Sequence, residues 1–191
     1  MKKLYLASKN LGKIEEYKKL LFNVNCKLLL QPDSIEVEEN GLSFRENAIK
    51  KASEVSKKTR NYAIADDSGI CIDALDGKPG IYSSRYAEND QKRIERVLNE
   101  LDGVDNRSAF FIANVCVCSP SGNVILESEA KCFGNITLKP RGNSGFGYDP
   151  IFEEASSKLT FAEMNNKLKD SCSHRGKAIK KIIPQLITIF A

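Results

Sequence analysis

The sequence predicts an α/β fold in which a mixed β-sheet is flanked by helices, and three observations carry that expectation. Through the first half of the chain, short apolar runs alternate with segments of helical periodicity. From Ala109 onward the pattern changes to long alternating runs joined by a tight polar turn. The length, 191 residues, is that of one domain, or of a domain with a lobe grafted on. Strand–helix alternation favours parallel pairing and hairpins require antiparallel pairing, so the sheet should be mixed.

The elements follow in order. Lys3–Ala7 reads as a first strand, punctuated by Ser8-Lys9-Asn10. Gly12–Phe22 reads as a helix, because Ile14, Tyr17, Leu20 and Leu21 fall on one face. Cys26–Leu30 is a second strand, and Pro32–Gly41 is an acidic loop. Ser43-Phe44-Arg45-Glu46 matches a capping box, which opens a helix running to about Thr59. Tyr62–Ala65 is a strand expected to end at Asp66-Asp67-Ser68-Gly69, with Ile70–Ile72 a separate short strand. Gly77-Lys78-Pro79-Gly80 is a turn cluster, and Asp90–Leu101 a helix with a polar face. Ala109–Cys118, Val124–Lys131 and Cys132–Leu138 read as a hairpin or meander. Gly142–Asp149 is glycine-rich, and Phe161–Met164 is expected to start a helical stretch. Ser173 should cap a C-terminal helix that Pro184 kinks or breaks.

Composition narrows the function. Apolar residues make up 41% and charged residues 28%, which excludes a disordered chain. The 29 basic and 25 acidic residues leave a net charge of +4, spread along the sequence without a basic stripe. That suits a small anionic ligand at least as well as nucleic acid, and no stable nucleic-acid partner is expected because a strong duplex binder usually shows clustered base. No run approaches the roughly 20 apolar residues of a membrane helix, so no membrane partner is expected. Six cysteines include no Cys-x-x-Cys pair, and there is one histidine. Reduced, buried thiols in a cytoplasmic protein are therefore expected, rather than zinc ligands.

Five segments can carry chemistry. Ser8-Lys9-Asn10-Leu11-Gly12-Lys13 lies between a strand and a helix, where free amides, the helix dipole and Lys13 together make a phosphate cradle. The same residues also describe an ordinary capped helix with a solvated lysine. In Asp66-Asp67-Ser68-Gly69 the pleat sends the two carboxylates to opposite sides, so that one can face magnesium while the other secures the turn. A plain Asx turn fits this segment equally. Glu36-x-Glu38-Glu39 offers a further metal ligand or an exposed acidic loop. In Gly145-Phe146-Gly147-Tyr148-Asp149-Pro150, Phe146 or Tyr148 can stack on a base, unless both are core aromatics of a turn. Ser173-His174-Arg175-Gly176 groups donors at a helix start, although a lone histidine is more often structural.

Taken in order, Ser8-x-Asn10-x-x-Lys13, Ala65-Asp66-Asp67-Ser68-Gly69, Gly77-x-Pro79-Gly80-Ile81-Tyr82-Ser83-x-Arg85-Tyr86, Phe146-Gly147-Tyr148-Asp149-Pro150 and Ser173-His174-Arg175-Gly176 give the sequence a family likeness. It closely resembles the inosine triphosphate pyrophosphatases from about Lys3 to the last helix. The resemblance implies an elongated mixed α/β fold of two lobes with a central substrate cleft, the whole of residues 1–191 forming one two-lobed domain, and a homodimer. It implies magnesium-dependent hydrolysis of ITP, dITP and XTP to the monophosphate and pyrophosphate. Carried over by position, Ser8, Lys9, Asn10, Leu11, Gly12 and Lys13 would hold the triphosphate, with Lys51 and Ser68 touching phosphates. Glu38 and Asp67 would hold magnesium, and Asp67 would be the proton acceptor. Phe146, Gly147, Tyr148, Asp149, Lys169, His174 and Arg175 would hold base and sugar, with Arg175 expected as the donor near position 2 of the purine. Three features depart from the family pattern: Lys9 in place of a small residue, a short segment after Ala87, and Pro184 in the last helix.

Overall fold

The computed structural model describes residues 1–191. Six strands form one sheet in the order β2-β1-β3-β4-β5-β6: β1 is Lys3–Leu6, β2 Lys27–Leu30, β3 Tyr62–Ile72, β4 Ser108–Cys118, β5 Val124–Ile136 and β6 Phe152–Glu154. Helices are α1 (Leu11–Leu20), α2 (Phe44–Thr59), α3 (Asp90–Glu100), α4 (Asn166–Cys172) and α5 (His174–Phe190). Strand β1 pairs in parallel with β2 and β3, and β5 pairs antiparallel with β6. The sheet is therefore mixed, as the pattern of runs predicts.

By contacts the chain divides into two compact units. The first comprises Met1–Asp67, Ala113–Ala130 and Arg175–Ala191; the second comprises Ser68–Ile112 and Lys131–His174. In the first unit the strand pleat sorts side chains into two cores. Leu4, Leu6, Ile64, Val115 and Val117 pack with Ile14 and Tyr17 of α1 and with Ala178, Ile179, Ile182, Leu186 and Phe190 of α5. The alternate positions Ala7, Ala63, Ala65, Cys116 and Cys118 pack with Ala48, Ala52 and Val55 of α2. One face of this part of the sheet thus carries α1 and α5, and the other carries α2. The second unit has its own core, in which Ile70, Ile72, Phe111, Cys132 and Ile136 meet Val97 and Leu101 from α3 and its end, with Ile151, Phe152, Phe161 and Met164.

Several expectations change. Strand β3 does not stop at Asp66 but continues to Ile72, because Ile70 and Ile72 are fully buried and extend the alternation past the two aspartates. Val124–Ile136 is one strand, not two. Phe161–Met164 is a turn, and the helix begins only at Asn166, capped by the Asn165 side chain on the Leu168 amide. Pro184 does not break α5, which runs unbroken to Phe190. A proline removes one backbone hydrogen bond from a helix. Here Ile179, Ile182, Leu186 and Phe190, all at most 3% exposed, hold the flanking turns in the core. All six cysteines are free thiols: Cys71, Cys116, Cys118 and Cys132 are buried, and Cys26 and Cys172 half-buried. No helix is long and apolar enough to cross a membrane.

Candidate active site

The site begins with the pleat of β3. Ile64 faces α1 and α5, so Asp66 continues that face; Ala65 faces α2, so Asp67 continues the other. The buried Asp66 carboxylate accepts from Lys13 Nζ at 3.0 Å and from Arg175 Nε and Nη2 at 3.2 and 3.1 Å. Arg175 Nη1 donates to Glu16 of α1. On the other face, Asp67 Oδ2 accepts from Asn47 Nδ2 at 3.0 Å, and its Oδ1 lies 3.5 Å from Lys51 Nζ.

The two faces meet at a single atom. The Asp66 carbonyl oxygen accepts from Lys51 Nζ at 2.8 Å and from Lys13 Nζ at 3.4 Å. Two ammonium groups from different helices thus converge on one oxygen, close to the Asp67 carboxylate. Lys13 arrives there because Asn10 caps α1, its Oδ1 accepting from the Lys13 amide at 3.0 Å, which fixes the first turn against the end of β1. Lys51 and Asn47 arrive because they occupy the buried stripe of α2 along with Phe44, Ala48, Ala52 and Val55.

Electrostatics follow burial. The Lys13 ammonium is driven below its ordinary pKa by burial; Asp66 opposes the fall, and Lys51 and Arg175 add to it. For Lys51, burial also disfavours the charge, but Asp67, Glu39 and Asp66 overcome it and the pKa rises. Burial works against ionisation of Asp66 too, yet Arg175, Lys13 and Lys51 hold its carboxyl well below the usual range. Among these cations, Lys13 is the one whose charge is under strain, and an arriving anion would relieve it.

The remaining predicted phosphate residues lie around α1's start. The Ser8 hydroxyl accepts from the Asn10 amide at 3.2 Å, Leu11 is exposed, and Gly12 is half-buried. Lys9, the departure from the family pattern, turns towards the acidic loop, 3.6 Å from Glu36 and 3.5 Å from the Asp33 carbonyl oxygen. In that loop Glu38 is exposed and accepts from Asn40. Its neighbour Glu39 instead reaches Lys51 Nζ at 2.5 Å, the ammonium that Asp67 also approaches. No group of three or more His, Cys, Asp or Glu gathers into a metal cage. Two hard carboxylates sharing one ammonium nevertheless fit magnesium, which takes one or two carboxylates together with substrate phosphates.

In the second unit the predicted base residues form their own group. Asp149 Oδ2 accepts from the Phe146 amide at 2.8 Å and from Lys169 Nζ at 2.7 Å. The Lys169 ammonium lies 5.0 Å from the Phe146 ring centroid, in cation–π range. Tyr148 is 4% exposed and donates its hydroxyl hydrogen to the Ser83 carbonyl at 2.8 Å, whereas Phe146 is half-buried. His174 stacks on Phe111, centroids 4.6 Å apart and 9° from parallel. Ser68 follows Asp67 on β3 and is half-buried. Arg175, which follows His174, pairs its guanidinium with Asp66 and Glu16.

The Ham1 family profile matches residues 4–185. The chain belongs to the Ham1 family. It is 85% identical over 191 residues to a dITP/XTP pyrophosphatase of Prochlorococcus marinus subsp. pastoris, with the whole of both chains covered. It is 48% identical over 188 residues to a dITP/XTP pyrophosphatase of a Nostoc species, covering 98% of this chain and 96% of that one. Among solved structures, a HAM1 protein from Coxiella burnetii superposes with a TM-score of 0.88 at 38% identity, covering 98% of this chain and 100% of that one. The resemblance drawn from the motifs and the mixed α/β fold both stand.

Asn47 and Glu16 belong to the site's geometry without having been assigned roles from sequence, and Asp66 and Glu39, each in a segment singled out there, take partners that the sequence did not name. Asn47 carried a readable signal, an amide at a stripe position of a helix whose neighbours there are apolar. Glu16 carried none, since its partner lies 159 residues away.

Proposed function

We propose that this chain hydrolyses the deaminated purine nucleoside triphosphates ITP, dITP and XTP to their monophosphates and pyrophosphate. The observation that carries this reading is the convergence of Lys13 and Lys51 on one carbonyl oxygen beside Asp67. Two cations held that close repel each other, and a polyphosphate is the anion that turns the repulsion into binding. The curated names of its relatives support the substrate class.

In this reading water attacks the α-phosphorus, the bond to the bridging oxygen breaks, and pyrophosphate leaves. Asp67 orients the water and takes its proton, while Asn47 fixes the carboxylate by holding Oδ2. Lys13 and Lys51 neutralise the charge gathering on the leaving pyrophosphate. The amides of Lys9, Leu11 and Gly12 hold the outer phosphates at the start of α1. Asp67 and a carboxylate of the acidic run, Glu39 by its contact with Lys51 or its neighbour Glu38, would hold magnesium. When bound, the ion would supply further charge neutralisation to the phosphates.

Phe146 supplies a face for the purine, with Asp149, Lys169 and His174 supplying polar edges. A protein donor facing position 6 donates to the oxo group of hypoxanthine or xanthine but meets adenine's amine donor against donor, leaving both unpaired, which rejects ATP. Arg175 remains the donor near position 2 of the purine, and its pairing with Asp66 also holds that carboxylate beside Lys13. A homodimer and a cytoplasmic location complete the proposal; the six free thiols support the second.

The test is pyrophosphate release across ITP, XTP, GTP, ATP and dUTP, with and without magnesium. The expected order places ITP and XTP far above ATP, and Asp67→Asn nearly abolishes turnover while ITP still binds. Equal turnover of ITP and ATP, or near-normal turnover by Asp67→Asn, would remove the reading.

A further inference from the structure

Helix α3 begins at Asn89, whose side chain already caps it by accepting from the Lys92 amide at 2.9 Å. The next residue, Asp90, is therefore not needed as a cap, and its carboxylate points elsewhere. Asp90 Oδ2 accepts from the Gly147 amide at 2.7 Å, across 57 residues of sequence. Asp90 Oδ1 pairs with Arg93 Nη1 at 2.5 Å, and Arg93 Nε in turn donates to the Ala87 carbonyl at 3.2 Å. The carboxylate is thus held on one oxygen and spends the other on the glycine-rich loop.

That loop needs outside support. Gly145 and Gly147 both adopt positive φ, +81° and +60°, so the backbone turns its successive amides outward rather than into a ladder. The Phe146 amide is taken by Asp149 and the Gly147 amide by Asp90. Two carboxylates, one local and one from α3, grip the amides on either side of the Phe146 α-carbon.

We infer that Asp90 is a positioning residue for substrate, fixing the Phe146 ring through the Gly147 amide with Arg93 holding it in place. The inference rests on the reading of Phe146–Asp149 as the base-holding segment. Asp90 acts through the loop and does not touch the nucleotide, so its loss should weaken recognition of the base and leave the phosphate contacts of Lys13 and Lys51 intact.

The experiment separates those two effects. KM and kcat are measured with ITP, and inhibition by inorganic tripolyphosphate, which has no base, is measured alongside. Asp90→Ala should raise KM for ITP about five- to tenfold, the low end for a charge-assisted bond because Asp90 is half exposed. Its kcat should stay within about twofold and the tripolyphosphate inhibition constant should not move. Asp90→Asn, which keeps an acceptor oxygen, should recover most of the loss, and Arg93→Met should raise KM in the same direction by less. An unchanged KM in Asp90→Ala overturns the inference, as does a tripolyphosphate constant that rises in step with KM. The chain contains no tryptophan, so Phe146→Trp gives a single fluorescent reporter on the loop. In that background Asp90→Ala, or Arg93→Met should the first not fold, should lower the emission anisotropy; no change overturns the inference. This readout needs no turnover. An inactive wild-type protein would therefore sink the activity reading, while a fall in anisotropy would still uphold Asp90.

Discussion

Replacing Asp66 by Asn tests the centre of the first unit's charge arrangement. The side chain is 1% exposed as a residue and is the shared partner of Lys13 and Arg175. An asparagine keeps the shape and an acceptor oxygen but removes the charge, leaving two buried cations facing each other. Removing one partner of a buried ion pair costs about 3–5 kcal/mol. For a chain of this length each kcal/mol lowers Tm by about 2–4 °C, so a fall of about 6–20 °C is expected. The pH dependence adds a sign. The folded-state pKa of Asp66 is depressed, so its contribution is fully present above the unfolded value near 4 and is lost as pH falls through the folded value. The gap between wild type and variant should therefore be flat from about pH 5 to 8 and close on acidification. On the alkaline side it should also narrow, because a Lys13 deprived of its counter-ion sheds its proton more easily in the folded state than in the unfolded one. Urea unfolding followed by far-ultraviolet circular dichroism measures all three limbs. Arg175→Met in the same chain should be less than additive with Asp66→Asn by about 1–3 kcal/mol. A loss below about 1 kcal/mol at pH 7, or full additivity, would refute the claim that this carboxylate holds the cations together.

Two further predictions concern the two units separately. Because burial already lowers the Lys13 pKa, KM for ITP should rise on the alkaline side before an ordinary lysine titrates; Lys13→Arg should abolish that limb, and identical profiles between pH 7 and 10 would exclude Lys13 as its source. Gly145→Ala places a methyl 2.0 Å from Asp149 Oδ2 at a φ of +81°, so Asp149 must leave Lys169 and the Phe146 amide. Stability should fall by about 1–2 kcal/mol in urea, with KM for ITP rising several-fold and kcat little changed.

Local chemistry was well marked in the sequence. The strand–helix alternation, the Ser43 cap and the pleat separating Asp66 from Asp67 are short-range properties, and each appears in the structure as the residues suggest. What was not legible depended on distant partners. Arg175 sits at a helix start among donors, which pointed to a ligand; its pairing with Glu16 and Asp66, 159 and 109 residues away, left no local signal. Pro184 signalled a break by its covalent structure alone, and the buried face of α5 outweighs that signal. The aspartate pair suggested a strand end because charges rarely sit inside an apolar strand, yet Lys13, Lys51 and Asn47 supply the partners that let β3 continue.

The six unlinked thiols carry a practical consequence. Packing alone closes both units, so a reductant should leave the melting curve where it stands and refolding from urea should need no oxidant. An oxidising agent would reach Cys26 and Cys172 from solution, whereas Cys116 and Cys118, 3.8 Å apart inside the sheet, would become vulnerable only in molecules that have opened. Oxidation of Cys116 and Cys118 by peroxide should therefore follow the rate of unfolding, making these two sulfurs an internal clock of how often the core comes apart.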